Sequence, residues 1–140
     1  MADGRMDMRL ITGGAWQGKT AFARTLETGR DPETRKEGEA DQVPPEEWKH
    51  LDLLCHVHRW VRRAVQEGSW DRQWFEALVR EMADRQPELL VTMDEVGCGI
   101  VPMEAEERRF REAAGEAGQI LAAHSREVWR VICGAGARIR

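Results

Sequence analysis

No stretch of this 140-residue chain approaches the ~20 consecutive apolar residues of a membrane-spanning helix. The opening residues, Met-Ala-Asp-Gly-Arg-Met-Asp-Met, lack the apolar core of a signal peptide, so positions 1–7 read as a loose leader. No basic block stands out among 21 basic and 25 acidic side chains, and the net charge is -4, which argues against a nucleic-acid partner. No Cys-x-x-Cys pair exists. The three cysteines, Cys55, Cys98 and Cys133, stand apart and are odd in number, which suits a reducing compartment better than a disulfide framework. No internal repeat is visible. These absences predict a cytoplasmic protein folded as one domain over 1–140. What is present agrees: 41% hydrophobic residues, and a length that buries roughly two-thirds of the unfolded chain's surface.

Apolar spacing alternates between strand and helix periods. Met8 to Thr12 suits a strand, glycines follow at once, and Thr20 to about Thr28 reads as a helix through Phe22, Ala23 and Leu26. Residues 29–47 are charged, with no aromatic and almost nothing apolar, and predict a mobile loop. Trp48 to Gly68 admits one helix, or a strand over 51–57 followed by a helix over 58–66; the alternating context favours the second. Asp71 suits the N-cap of a helix faced by Trp74, Phe75, Leu78, Val79 and Met82. Glu88 to Glu95 reads as a buried parallel strand, Val96 to Pro102 as a glycine-bearing loop, and Met103 to Ser125 as a long helix. Arg126 to Cys133 is another strand, after which Gly134-Ala135-Gly136 turns into a last short one. The expected fold is an α/β, P-loop NTPase-like domain: a mainly parallel sheet with helices on both faces and a short C-terminal hairpin.

Chemistry concentrates at 13–20. Gly13, Gly14, Ala15, Trp16, Gln17, Gly18, Lys19 and Thr20 satisfy G-x-x-x-x-G-K-[ST], in the strand–loop–helix context that this motif needs. Glycines let backbone N–H groups turn inward around phosphates, and the following helix adds its positive end. Lys19 can neutralise β- and γ-phosphate charge, and the Thr20 hydroxyl can ligate Mg²⁺. The pattern predicts a nucleoside triphosphate, ATP or GTP, as substrate. Asp94 and Glu95 end the apolar strand at 88–95, where ligands of open α/β sheets bind. Glu95 is the preferred acid for holding the metal or orienting an acceptor.

Other residues carry weaker signals. His56 and His58 would share one face of a strand and make half a metal site, but core or surface histidines are the plainer reading. His50 reads as a surface residue and His124 as a core histidine. Trp16 either covers a ligand ring or packs the loop. Arg108, Arg109 and Arg111 read as surface ion pairs, or one of them reaches a phosphate.

Two segments resemble a known family. Leu10-Ile-Thr-Gly-Gly-Ala-Trp-Gln-Gly-Lys-Thr20 resembles the opening of the adenosylcobinamide kinase / adenosylcobinamide-phosphate guanylyltransferase family. Val91-Thr-Met-Asp-Glu-Val-Gly-Cys-Gly-Ile-Val-Pro102 resembles its Val-Thr-Asn-Glu-Val-Gly-x-Gly-Ile-Val-Pro segment. Arg108-Arg-Phe-Arg111, Gly115, Gln119, Leu121-Ala122, Glu127-Val-Trp129 and the closing Gly134 to Arg140 continue the likeness, which covers about 9–28 and 88–140. The resemblance implies a P-loop enzyme of late cobalamin assembly. Such an enzyme phosphorylates the aminopropanol hydroxyl of adenosylcobinamide, then transfers GMP from GTP through a guanylylated histidine, and works as a homotrimer. Two family features are missing. The region of the histidine nucleophile is here the charged stretch 29–47, which has no histidine. The Asp-Cys-Leu-Thr pattern is replaced by Leu54-Cys-His-Val-His-Arg-Trp60. The kinase half is therefore expected, with guanylyl transfer through His50, His56 or His58 as a further option. The alternative is a nucleotide-binding remnant that regulates or completes a partner enzyme.

Overall fold

The computed structural model describes residues 8–26, 31, 33–86, 88–96 and 104–140. The strands are β1 (Arg9–Gly13), β2 (Glu37–Glu39), β3 (Leu53–Cys55), β4 (Leu90–Asp94), β5 (Glu127–Ile132) and β6 (Ala135–Arg138). The α-helices are α1 (Lys19–Thr25), α2 (Val57–Gln66), α3 (Arg72–Arg85) and α4 (Ala105–Ala123). One six-stranded sheet runs in the order β2-β3-β4-β1-β5-β6. All neighbours pair parallel except β5 and β6, which form the antiparallel hairpin expected at the end.

Alternation along the strands sorts the core onto two faces. Leu10, Leu54, Val91 and Val128 face α2, α3 and α4, and meet Val61, Phe75, Val79, Phe110, Ala117 and Leu121 in the larger core. Ile11, Leu53, Leu90 and Val131 face the other way, against Phe22 and Ala23 of α1 and Leu26 at its C-cap. Both faces are thus covered by helix. Each fully buried Leu or Val stabilises the fold by ~1.5–3 kcal/mol before entropy is set against it. Trp60 of α2 sits amid Trp48, Trp70, Trp74 and Phe75, with ring centroids 5.1–6.3 Å away. Arg62 ties α2 to α4 through a bidentate bond to Glu107 (2.9 and 3.0 Å) and lies 3.9 Å over the Phe110 ring.

Several boundaries agree with the sequence and some do not. Residues 51–66 form strand then helix, and Asp71 caps α3 by accepting from the Gln73 N–H at 3.0 Å. The stretch 29–47 differs from the loop expected. It contributes edge strand β2, whose Glu37 and Glu39 pair with β3 through backbone alone, and the start of a 3-10 turn, Pro45–His50. His124 is not a core residue; it is half-buried at the C-cap of α4, where the helix hands over to β5. Trp74 is 44% exposed rather than buried with its face. The leader at 1–7, the glycine loop at 97–102 with Cys98, and the Met103 helix start lie outside the described residues.

Candidate active site

The glycine loop is shaped by close approach of two main chains. Gly13, at the carboxyl end of β1, has φ +153°, and a Cβ there would stand 2.5 Å from the Val131 carbonyl oxygen of β5. Gly18 has φ +91°, and its Cβ would come within 3.3 Å of Gly134 Cα in the β5–β6 turn. No side chain fits either place without moving backbone. Gln17 fastens the loop to the same turn: its Oε1 accepts from the Cys133 N–H at 2.6 Å and its carbonyl accepts from the Gly134 N–H at 2.8 Å. Trp16 at the tip has φ +64° and is fully exposed, so it does not pack the loop. Gly14 and Ala15 complete the turn.

Lys19 opens α1 and is 5% exposed. Its ammonium donates to the Gly14 carbonyl at 2.7 Å and stands 2.7 Å from Asp94 Oδ1. The β1–β4 register explains the meeting, because Gly13 lies opposite Asp94. Asp94 is held again by His58, whose Nδ1 accepts from the Asp94 N–H at 3.1 Å and whose Nε2 lies 3.3 Å from Asp94 Oδ2. Burial pushes the His58 imidazolium down to about 4, against the opposing pull of Asp94. A neutral ring with Nε2 protonated satisfies both contacts.

Glu95 goes elsewhere. Its N–H donates to the Gly13 carbonyl at 2.8 Å, and its carboxylate takes a bidentate bond from Arg130 of β5 at 2.7 and 3.1 Å. Of the two acids at the strand end, Asp94 therefore meets the loop lysine. Arg108 and Arg109 are exposed on α4 and Arg111 is half-buried there.

Thr20 faces a cleft of about 420 Å³ at the carboxyl ends of β2 and β3, with Arg24, Glu37, Glu39, Gln42 and Cys55 also in its walls. Arg24 bonds Glu37 through two 2.8 Å contacts, which keep that carboxyl below its ordinary range. The Cys55 thiol, against Thr20, is pushed up to about 11 by burial and then by the Glu39 carboxylate. His56 has φ +62°, gives its N–H to Thr92 Oγ1 at 3.0 Å, and meets Glu39 Oε2 through Nδ1 at 2.7 Å. His50 is exposed and apart. The His-x-His pair is thus divided between two carboxylates, Glu39 and Asp94. Sequence reasoning missed Arg24, Glu37 and Glu39, which lie in or near the stretch without apolar pattern; the glycine between the two acids was their only local mark.

Comparison with known proteins adds a family. Residues 39–139 match the family described as Cobinamide kinase / cobinamide phosphate guanyltransferase. The bifunctional adenosylcobalamin biosynthesis protein CobU of Escherichia coli (strain K12) is 28% identical over 180 aligned positions, covering 95% of this chain and 99% of that protein. Its namesake from Salmonella typhimurium is 29% identical over 181 positions, with the same coverage. These spans exceed the 140 residues of the chain, so the alignments hold gaps opposite segments that this chain lacks. The family match covers well over half of the sequence, and the chain belongs to the cobinamide kinase / cobinamide phosphate guanyltransferase family.

Proposed function

We propose that this protein is an enzyme of cobalamin biosynthesis that transfers the γ-phosphoryl group of ATP or GTP to the hydroxyl of adenosylcobinamide. The observation that carries this reading is the buried Lys19–Asp94 pair at 2.7 Å, set at the carboxyl ends of adjacent strands beside an open cleft. The loop amides of Gly13 to Gly18 receive phosphate oxygens, and Lys19 exchanges the Gly14 carbonyl for them. Phosphoryl transfer needs positioning and neutralised charge more than covalent chemistry, and a buried ammonium provides both.

Mg²⁺ suits the donors present. The Thr20 hydroxyl and the Asp94 carboxylate are hard oxygens, and magnesium commonly takes one or two protein oxygens beside phosphates and waters. Thr20 and Asp94 would hold it, and it would neutralise charge developing between the phosphates. Asp94 is preferred over Glu95 for this role because it meets the loop lysine, whereas Glu95 is turned to Arg130 of β5. Glu95 then acts as a brace that keeps β5 beside the loop.

Incubating the purified protein with cobinamide, Mg²⁺ and either nucleotide tests the reading: cobinamide phosphate is expected, and its absence with both nucleotides refutes the kinase. Guanylyl transfer from GTP is the second activity of this reading. An acid-labile GMP adduct on His50, His56 or His58 is its signature. The alignment gaps favour one rival, a nucleotide-binding subunit without turnover. Tight binding with no product would select it.

A further inference from the structure

Glu39, in the wall of the cleft, is joined to His56 in a way that helix capping does not require. His56 occupies the N-cap position of α2, yet its side chain makes no capping bond and turns to Glu39 instead. Its backbone is left-handed at φ +62°, which costs a non-glycine residue on the order of 1–3 kcal/mol and persists only where neighbours over-determine it. Thr92, fully buried in β4, does so by accepting the His56 N–H. The carboxylate at 2.7 Å places the proton on Nδ1 and leaves the Nε2 lone pair free of any bond among the described residues. Glu39 and Cys55, the residue before His56, line the same cleft as Thr20 of the glycine loop. The cleft therefore runs from the proposed phosphate donor to the carboxylate that orients the His56 imidazole.

We propose that His56 is the general base for the acceptor hydroxyl and that Glu39 is its positioning residue; this rests on the kinase reading above. In the step, His56 Nε2 takes the hydroxyl proton as the acceptor oxygen bonds to the γ-phosphorus. The bond from that phosphorus to the bridging oxygen breaks, and its electron pair leaves on the nucleoside diphosphate. Glu39 stabilises the imidazolium, which then releases its proton to water. The groups facing His56 are Glu39 from β2, Cys55 beside it, His58 and Arg59 from α2, and Thr92 from β4. Arg59 shares Glu39 Oε2 at 3.5 Å, and the His58 ring stands edge-on at 5.7 Å.

His56→Asn tolerates the left-handed backbone and removes the base. With cobinamide and Mg-nucleotide, its kcat is expected to fall roughly 10²- to 10⁴-fold, while nucleotide affinity stays within about twofold and the acid limb of the kcat–pH profile disappears. Glu39→Gln keeps an acceptor for Nδ1 but not the charge. Its kcat is expected to fall less, and its acid limb to move to lower pH. An active wild type whose His56→Asn variant keeps its kcat and acid limb overturns the base alone. A wild type that binds nucleotide but transfers to no acceptor overturns the kinase reading and the base with it.

Discussion

Replacing Gly13 by alanine should separate two effects of glycine that usually travel together. The new Cβ would stand 2.5 Å from the Val131 carbonyl oxygen and 3.4 Å from that residue's N and C atoms. All are main-chain atoms of β5, which is bonded to β1 on one side and β6 on the other, so no rotamer relieves the clash. The dihedral, φ +153°, adds roughly 1–3 kcal/mol for a residue with a Cβ. Overpacking adds roughly 1–3 kcal/mol more. A total near 2–6 kcal/mol lowers Tm by about 6–18 °C at about 3 °C per kcal/mol for a chain of this size. Gly115 and Gly118 of α4 have open space where a Cβ would go, so alanine should stabilise by up to about 1 kcal/mol at each. Gly68, at φ +70° with nothing nearby, isolates the dihedral cost. Differential scanning calorimetry of the four variants without ligand is the assay. The reasoning fails if Gly13→Ala melts within about 2 °C of the parent, or is no worse than Gly68→Ala.

Other outcomes follow from the same geometry. Lys19→Met should abolish nucleotide binding in a titration. It should also cost about 3–5 kcal/mol in urea unfolding, because Asp94 loses its cation in a mostly buried place. His58, lowered from 6.5 to about 4, is neutral when folded but takes a proton when unfolded. Its contribution is therefore complete above about pH 6.5 and is lost as pH falls toward 4, by up to about 3 kcal/mol, and His58→Gln should flatten that limb of a stability–pH curve. Between Cys55 and Cys133, a maleimide at pH 7.5 should label the exposed Cys133 first, since Cys55 is buried and its thiol sits at about 11. Mass mapping that finds Cys55 labelled equally fast would contradict this burial.

The legible parts were those whose residues announce a period. Leu10 and Ile11 before a glycine run, the apolar stretch at 90–93, and the long repeat through Phe110, Ala117 and Leu121 each match an observed element. Strand β2 was illegible because Glu37-Gly38-Glu39 contributes backbone bonds at an edge, with no apolar side chain to betray a face. At the site, the motif located Lys19 and a strand end with two acids. It could not say which acid looks inward, because successive residues at a strand end point to opposite sides and one residue of register decides between them. The register Gly13 to Asp94 sends Asp94 to Lys19 and leaves Glu95 to Arg130. His56 and Glu39 lie 17 positions apart and join only through β2–β3 pairing.

The clasp between Gln17 and the β5–β6 turn bears on how the protein is made. Gln17 and Cys133 are 116 positions apart, so the loop emerges from the ribosome long before the surface that shapes it. Gly13 and Gly18 also lean on Val131 and Gly134. During synthesis, then, residues 13–20 wait as an unformed segment, and nucleotide cannot template a nascent chain that has not yet passed the hairpin. Competence for ligand should arrive late, so that a ribosome stalled before residue 131 displays every residue of the loop without the hairpin that clasps it.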